Sequence, residues 1–459
     1  MKATKKILLT GMACCVYVSG LFAGGILTNT NQSVHFLRNP ARGASIEIDA
    51  VYTNPAGLAK LPTNGFYFSL NNQSAFQTRT ITSTFPSFAG FGGNDTKSFK
   101  GEATALVIPS VMGAYKTGKW VVSFDVGVIG GGGTLTFDKG LPSFEAPISM
   151  IPLQLSGNGV PTNQYSVDAY FQGSSMIISG QLGATYAISD LFSVYGGARI
   201  NRVNNGYEGH IRGISINPTH PALNPTGQMM LANTFFSYAN NESSAKQTAD
   251  KQLDCSQSGM GVTPIVGFHF AFDKLNIGAK YEFRTNLSIE NKTTVDDTGM
   301  FADGVKTNSD IPALLTLGAQ YEVIPNVSVS AGYHHFFDSD AKMANDKQQY
   351  INGGINEFLL GAEWQINKLF LISAGGQITR TGVTDDFQTD MSFSLNSHSI
   401  GFGGAVNLSK AVRLNVAYFV TKYGDWEKQS ANYGGMPIAG KDIFSRTNKA
   451  FGIGLDFRF

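Results

Sequence analysis

The sequence has little charge, little cysteine and no long apolar run after its first 23 residues, and each shortage excludes a class of protein. Charged residues make up 15% of the 459 residues and the formal net charge is +1. A nucleic-acid-binding protein needs a basic face, so that class is set aside. Of three cysteines, Cys14 and Cys15 fall in a predicted signal peptide, so Cys255 alone remains and no intramolecular disulfide is predicted. Without 18 consecutive apolar residues, no transmembrane helix is predicted.

The residue groupings of an enzyme are also missing. Seven histidines are scattered along the chain, and the adjacent His334 and His335 point to opposite faces of a strand, so they cannot jointly bind a metal there. No serine elbow, paired-cysteine motif or phosphate loop with a lysine occurs, and the glycines of "GFGGAVNLSK" from Gly401 lie in an alternating strand. We therefore predict no catalysis, no cofactor and no metal site.

Both ends of the chain carry patterns typical of export to the bacterial outer membrane. A lysine-rich start and the apolar run 7–21 predict a signal peptide over residues 1–23. Lipoprotein cleavage before Cys14 or Cys15 is the less favoured alternative, because the usual leucine three residues upstream is missing. The C-terminal "KAFGIGLDFRF" alternates apolar residues with small or polar ones and ends on Phe459, like the C-terminal signal of outer-membrane barrels. The expected partners are outer-membrane lipid and, during insertion, the barrel assembly machinery.

Alternating segments recur throughout residues 65–459, and their connections divide by length. Six are very short polar turns, at 117–119, 189–190, 273–274, 325–326, 367–368 and 409–410. Seven are long, at 81–98, 138–163, 218–255, 292–308, 341–351, 384–394 and 428–445. The strands between them are predicted at 65–80, 99–116, 120–137, 164–188, 191–217, 256–272, 275–291, 309–324, 327–340, 352–366, 369–383, 395–408, 411–427 and 446–459. A β-sandwich would not sort its connections in this way, so the fold class predicted is all-β, a 14-stranded antiparallel transmembrane β-barrel.

About forty residues, 24–64, separate the signal peptide from the first strand. Pro40, Pro55 and Pro62 are spaced too closely for a long helix. A barrel of fourteen strands encloses a lumen wider than side chains normally fill, since about eight strands mark that limit. We therefore predict an N-terminal hatch, a plug inside the lumen, over residues 24–64, followed by the barrel at 65–459.

Within this hatch, the stretch "NQSVHFLRNPARGASIEIDAVYTNPAGL" from Asn31 resembles the hatch of a known family. That family is the outer-membrane long-chain fatty acid transporters and their aromatic-hydrocarbon relatives (FadL/TodX-like). Its signature corresponds here to Asn54, Pro55 and Ala56, followed by Gly57. Pro55 fixes one backbone angle and Asn54 can bond its own backbone, so we expect a turn that pins the hatch. A turn without a role in transport is the alternative.

The resemblance implies uptake of hydrophobic compounds such as long-chain fatty acids. It implies that extracellular loops capture the ligand, that an inner pocket near the mature N-terminus holds it, and that it leaves sideways through the barrel wall. The residues expected at that pocket are Gly24, Ile26, Leu27 and Phe36.

Two features of the sequence are candidates for the exit and for the capture of ligand. Gly130, Gly131, Gly132 and Gly133 interrupt the third predicted strand, where glycine favours a bulge or gap; the resemblance implies a lateral gate, and a flexible rim is the alternative. Loops 141–155 and 227–236 are unusually apolar. The candidate ligand contacts in them are Phe144, Ile148, Met150, Ile151, Met229, Met230, Phe235 and Phe236. Alternatively, these loops pack over each other as a cap.

Lumen arginines are candidate partners for a ligand carboxylate, but inward charges are ordinary in barrels and none is singled out. The candidates are Arg199, Arg202, Arg284, Arg380 and Arg413. Two other functions stay open for such a barrel. One is a general porin or a host-binding surface protein, and the other is a membrane hydrolase.

Overall fold

The computed structural model describes residues 27–28 and 30–459. The predicted signal peptide, Gly24 and Ile26 lie outside the described residues. The strands are β1 (Gly65–Thr84), β2 (Thr96–Thr117), β3 (Trp120–Phe137), β4 (Tyr165–Ala187), β5 (Phe192–Ile216), β6 (Met230–Leu231), β7 (Lys251–Ala271), β8 (Leu275–Glu282), β9 (Ser288–Asp296), β10 (Lys306–Asn308), β11 (Leu314–Ile324), β12 (Val327–Phe336), β13 (Ile355–Gln365), β14 (Phe370–Arg380), β15 (Ser397–Asn407), β16 (Val412–Tyr423), β17 (Trp426–Ser430) and β18 (Gly440–Arg458).

Helices are short and lie outside these strands. The α-helices are α1 (Val34–Arg38), α2 (Ala50–Thr53), α3 (Pro142–Gly157), α4 (Ala232–Tyr238) and α5 (Glu242–Gln247). The 3-10 helices are Pro55–Lys60, Pro86–Gly90, Asp338–Asp340, Ala344–Tyr350, Asp385–Phe387 and Tyr433–Gly435. Among the described residues, no helix combines the length and the apolar character needed to cross a membrane.

The strands form one antiparallel sheet that closes on itself, because β1 pairs with β2 on one side and with β18 on the other. Four small strands add no separate position to the wall: β6 pairs only with the end of β5, β9 shares the position of β8 beside β7, β10 precedes β11, and β17 extends β16 along β18. The wall therefore has fourteen strands, as the sequence predicts. The sheet therefore closes into a barrel instead of ending at two free edge strands.

One predicted strand, 275–291, is broken in the structure. It stops at Glu282 and resumes at Ser288 as β9. The neighbouring strand β7 carries Pro264, which has no backbone N–H, and Gly261, where the Asn286 carbonyl oxygen comes within 2.9 Å of the position a Cβ would take. Pairing between the two strands lapses at this point and resumes beyond it.

The two faces of the wall differ as the alternation predicts. On β18, Phe451 and Ile453 are exposed outward while Gly452 and Gly454 are buried toward the lumen. On β3, Val122 and Val126 face outward, and the polar Ser123 and Asp125 face inward. An apolar outer face and a polar or small inner face are those of a barrel with lipid outside.

All six short turns connect strands where the sequence predicts them, and the long connections lie on the opposite rim. The connection predicted at 138–163 contains the helix α3. Pro142 suits the first turn of this helix, whereas Pro147 and Pro152 remove two of its internal N–H donors. These prolines are why the sequence pattern indicates a loop rather than a helix.

Candidate functional site

The described part of the hatch, residues 27–28 and 30–64, lies inside the barrel and is hydrogen-bonded to its wall. Five wall side chains donate to hatch carbonyl oxygens: Gln181 to Val51 (2.8 Å), Thr185 to Pro55 (2.7 Å), Ser193 to Ala56 (2.7 Å), Lys280 to Tyr52 (2.7 Å) and Lys116 to Leu61 (2.6 Å). In return, the Gln32 side chain donates to the Val128 carbonyl oxygen (2.8 Å) and the Val34 N–H donates to Asn71 Oδ1 (3.1 Å). These contacts reach β1, β2, β3, β4, β5 and β8, so the hatch is held from several sides of the lumen.

Buried ion pairs hold the hatch to the remaining wall. We call this group the ionic latch; its members are Arg38, Arg42, Glu47, Asp49, Glu363 and Arg413. Arg38 is fully buried and bonds Glu363 on β13 and Ser373 Oγ on β14 (2.8 Å). Arg413 on β16 reaches Glu47 Oε1 at 2.7 Å. Two hatch side chains thereby connect to three strands.

Within the hatch, Arg42 binds Asp49 with two parallel hydrogen bonds. Arg42 Nε donates to Asp49 Oδ2 and Nη2 donates to Oδ1, both at 2.7 Å. Burial alone would raise the pKa of Asp49, but the Arg42 guanidinium outweighs it and holds that pKa below its ordinary value. For Glu47, burial likewise opposes ionisation, and Arg413 with Arg42 lowers its pKa well below the ordinary value. Both carboxylates are therefore ionised while the hatch is seated.

The same region brings three potential metal ligands together. One atom each of His35, Glu47 and Asp49 lies within 4.8 Å of the others. Guanidinium groups already occupy both carboxylates, and the His35 Nε2 atom lies 3.2 Å from Asp456 Oδ2 on β18. The three side chains are thus engaged by Arg42 within the hatch and by Asp456 on β18.

The predicted Asn54–Gly57 signature forms the junction between α2 and the following 3-10 helix. Asn54 Nδ2 donates to the Ser45 carbonyl oxygen (2.9 Å) and lies 3.0 Å from His269 Nδ1 on β7. The expectation that Asn54 bonds its own backbone is replaced by these longer-range contacts, because the wall supplies a partner. At Gly57, a Cβ would lie 2.4 Å from the Ser45 carbonyl oxygen, so only glycine fits there. Through Asn54, the signature therefore contacts both the hatch and the wall.

A cavity of about 330 Å³ lies in the lumen beside the hatch. Hatch residues Leu27, Gln32 and Leu37 form one side, and the wall contributes apolar and polar side chains in similar measure. The apolar wall residues are Ala75, Ala103, Ile108, Val128, Ile129, Leu135, Phe137, Phe171, Ile177, Phe419 and Ala450. The volume is within the usual range for small-molecule sites, about 300–1,000 Å³.

The wall of this cavity contains an interruption in strand pairing, which we call the wall gap. Strands β2 and β3 pair at Ala103 with Leu135 and again at Ser110 with Gly127, but residues 104–109 and 128–134 between these pairs are not paired with each other. Strand β3 remains paired with β4 across two bulges in this stretch. The lining of the cavity includes residues from both edges of the wall gap.

The predicted glycines produce this separation. Gly131 and Gly133 have φ angles of 82° and 98°, which glycine adopts without strain, and a Cβ on Gly131 would lie 2.1 Å from the Ser175 carbonyl oxygen of β4. Glycine therefore lets β3 follow β4 while it leaves β2. Gly130 also lies against the hatch, because its Cβ would meet Leu27 Cδ2 at 2.7 Å.

The apolar loops pack into two clusters on the rim of long connections, which together form the outer cap. One cluster gathers Phe85, Phe88, Phe137, Leu141, Met150, Phe171, Phe393, Tyr423, Tyr433 and Phe444, with Phe144 packed against it. The other gathers Ile148, Ile151, Leu155, Tyr165, Ile214, Ile216, Phe235 and Phe236, with Met230 packed against it. Helix α3 contributes to both clusters and joins them.

The structure therefore separates the predicted binding residues into three places. Leu27 and the glycines Gly130, Gly131 and Gly133 line the cavity. Phe36 is buried against Phe419, with ring centroids 5.9 Å apart. The loop residues belong to the outer cap, except for Met229, which is exposed.

The arginines predicted to face the lumen lie in different environments. Arg199 is buried and pairs with Glu282, whereas Arg202 and Arg380 lie on the outward face, so the expectation that these two face the lumen is wrong. Arg284 is exposed near Asp310, and Arg413 belongs to the ionic latch. Two arginines that the sequence reasoning missed, Arg79 and Arg446, line the cavity instead. Strand alternation could have found them, since Arg79 shares a face with Gln73 and Gln77.

Solved structures superpose on this barrel over most of its length. A Pseudomonas aeruginosa FadL homologue superposes with a TM-score of 0.65, covering 95% of this chain and all of its own at 12% identity. The chain has the FadL-like fold. The Ralstonia pickettii toluene transporter TbuX and the Pseudomonas putida toluene transporter TodX each give a TM-score of 0.56 at 15% identity, covering 94% and 95% of this chain and 99% and 100% of their own.

The likeness of these FadL-like barrels is one of structure rather than of sequence. No protein-family model matches the chain. No curated protein matches it in sequence. At identities of 12–15%, the comparison establishes the fold, and the function rests on the geometry of the cavity.

Proposed function

We propose that the protein is an outer-membrane channel for the uptake of hydrophobic compounds, long-chain fatty acids among them. The observation that carries this proposal is the position of the cavity, whose lining includes Ala103, Ile108, Gly130 and Gly133 at the edges of the wall gap. An apolar ligand in that cavity has a short route to the lipid outside. It would not need to cross the polar contacts between the hatch and the wall.

The outer surface of the wall gap supports the same direction of movement. Leu106 and Val107 of β2 are 63% and 71% exposed and lie in the stretch that has no partner on β3. Apolar side chains at this position offer a ligand a continuous apolar surface from the cavity to the hydrocarbon layer. The third strand's glycine run thus acts as the lateral gate in this proposal.

Ligand capture is assigned to the outer cap. The cap is rich in methionine and phenylalanine, which adapt to flexible chains, and its Phe144 ring packs 5.7 Å from Phe171, a residue that lines the cavity. Met229 remains exposed for a first contact with ligand. Movement between the two cap clusters would admit ligand to the cavity below.

The contacts of the hatch oppose the general-porin alternative. An open pore needs a continuous aqueous path, but the hatch is bonded to wall residues on both halves of the barrel, from Gln181 on β4 to Glu363 on β13. The channel is also proposed to be non-catalytic, in keeping with the transporters that share its fold. TodX and TbuX are toluene transporters.

The wall gap can be tested by filling it from β2. Ala105 faces inward next to Gly133, whose ideal Cβ position lies 3.3 Å from Ala105 Cβ. Ala105→Trp should therefore obstruct the gap and reduce uptake of a radiolabelled long-chain fatty acid by intact cells to a small fraction of the wild-type rate. Glu102→Trp, on the outward face of the same strand where β2 is still paired with β3, is the matched control and should leave uptake unchanged.

Ligand binding in detergent distinguishes a blocked exit from the loss of ligand binding itself. Both variants should bind the fatty acid in detergent as the wild type does, because neither residue lines the cavity. Normal uptake by Ala105→Trp would refute the lateral exit and leave the channel in place. Absence of binding to the wild type, together with steady ion conductance in a planar bilayer, would replace the proposal with an open pore.

A further inference from the structure

The cavity contains positive charge that the described chain does not neutralise. Among its described lining residues the only charged ones are Arg79 on β1 and Arg446 on β18. These residues are direct partners in the β1–β18 ladder, and their side chains point into the lumen. Side chains at directly opposed positions have Cβ atoms about 5 Å apart, so the two cationic side chains start from neighbouring positions on the inner face.

Neither arginine has a carboxylate partner within residues 27–28 and 30–459. Arg79 Nε donates to Gln77 Oε1 at 2.8 Å, which fixes the group and leaves its two terminal nitrogens directed elsewhere. Arg446 Nε is buried without a hydrogen-bond partner in the described structure. The acidic Asp442 on the same face of β18 accepts hydrogen bonds from Ser83 and Tyr433 instead.

Aromatic rings orient both guanidinium groups without neutralising them. The Arg446 guanidinium carbon lies 4.8 Å from the centroid of the Tyr423 ring, and the Arg79 carbon lies 5.5 Å from that of Phe393. Tyr423 is itself 8% exposed, lines the cavity, and has a hydroxyl group without a described hydrogen-bond partner. Asn448 Oδ1, two residues along from Arg446, is also unpartnered.

This arrangement differs from every arginine of the ionic latch. Arg38, Arg42 and Arg413 each bond a carboxylate of the chain. Two neighbouring, partly buried cations without an anion repel each other, and that repulsion persists unless a ligand brings negative charge. Guanidinium groups also match a carboxylate geometrically, since each can donate two parallel hydrogen bonds.

We propose that Arg79, Arg446 and Tyr423 bind the anionic headgroup of an amphiphile whose apolar chain occupies the rest of the cavity. The substrate class is then acidic amphiphiles, with a carboxylate as the simplest headgroup, in preference to neutral hydrocarbons. This inference rests on the proposed function. It adds the residues that select one ligand chemistry over another.

The test compares two ligands with the same chain length and different headgroups. Dissociation constants for decanoate and for decanol are measured with the purified full-length protein in detergent, with acetate as a third probe. The wild type should prefer decanoate. Arg79→Gln and Arg446→Gln should each weaken decanoate binding by about 10-fold or more, as expected from the loss of a hydrogen bond to a charged group, and leave decanol binding unchanged.

Arg380→Gln is the control for a general effect of charge, because Arg380 lies on the outward face of β14. Unchanged decanol binding also reports that the arginine variants are folded. An unaltered preference for decanoate in the double variant would overturn the proposal, as would equal wild-type affinity for decanol. Acetate binding as tight as decanoate binding would also overturn it, in favour of a small-anion site. If neither ten-carbon ligand binds, the proposed function fails as well.

Discussion

Removing Arg38 from the ionic latch should loosen the hatch without unfolding the barrel. Arg38 lies in α1, is fully buried, and contacts Glu363 and Ser373 on two neighbouring strands. Arg38→Met keeps most of the side-chain volume and leaves the buried Glu363 carboxylate without its main partner. Breaking a buried ion pair from one side typically costs about 3–5 kcal/mol.

This free-energy cost applies only to the seated hatch, because in a displaced hatch the side chain at position 38 and the Glu363 carboxylate would both be hydrated. The ratio of displaced to seated hatch should rise by roughly two to three and a half orders of magnitude. Hydrogen exchange can measure this ratio, because the Val34 N–H is bonded to Asn71 of the wall and is exposed only when α1 leaves. Its exchange rate should increase by the same factor.

Two controls make this expectation specific. Amides of the β13–β14 ladder should keep their wild-type exchange rates. The double variant Arg38→Met/Glu363→Met should recover most of the protection, because replacing both members of a buried pair removes the unpaired charge. Unchanged exchange at Val34 in the single variant would refute the view that the ionic latch holds the hatch.

Three further outcomes follow from contacts of the hatch. The pKa of Asp49 is lowered in the folded protein, so the ionised Asp49 stabilises the seated hatch above the ordinary carboxyl pKa of about 3.9. This stabilisation is lost as pH falls through the lowered pKa. Bilayer conductance should therefore rise only in strong acid. Gly278→Ala would place a methyl group 2.1 Å from the Gly43 carbonyl oxygen and should speed hatch exchange, whereas Gly196→Ala, with open space around it, should not. Asn54→Leu removes the bonds to the hatch and to β7 and should cost about 1–3 kcal/mol of hatch stability, measured by the same exchange.

The barrel itself could be predicted from the sequence because its determinants are local. Strand faces follow the period of two, and turn residues mark each short connection, as at Pro325 and Asn326 between β11 and β12. The glycine run could also be interpreted, since positive φ angles at Gly131 and Gly133 are a property of glycine itself. On the other edge of the wall gap, residues 104–109 include Pro109, which has no backbone N–H to pair, and the sequence reasoning missed this signal.

The contents of the lumen could not be predicted in the same way. Arg38 and Glu363 are 325 residues apart, and their pairing depends on how the hatch is placed against β13. Alternation alone places Arg79 and Arg446 on the inner face. Whether an inner arginine has a carboxylate partner depends on side chains that are distant in sequence. Arg413 has such a partner in Glu47, whereas Arg446 Nε has no partner in the described structure.

The paired arginines of the ionic latch and the arginines of the cavity, unpaired in the described structure, are different residues. We therefore expect ligand selection and hatch seating to be separable. Each arginine of the ionic latch is paired with a carboxylate of the chain, so a ligand headgroup gains little by competing for it. The arginines of the cavity have no such partner in the described structure, so they can contribute to ligand binding without releasing the hatch. Arg38→Met should therefore change decanoate and decanol binding by the same factor, while Arg79→Gln should leave hydrogen exchange at Val34 unchanged. A decanoate preference that disappears in Arg38→Met would instead show that the two sites act as one.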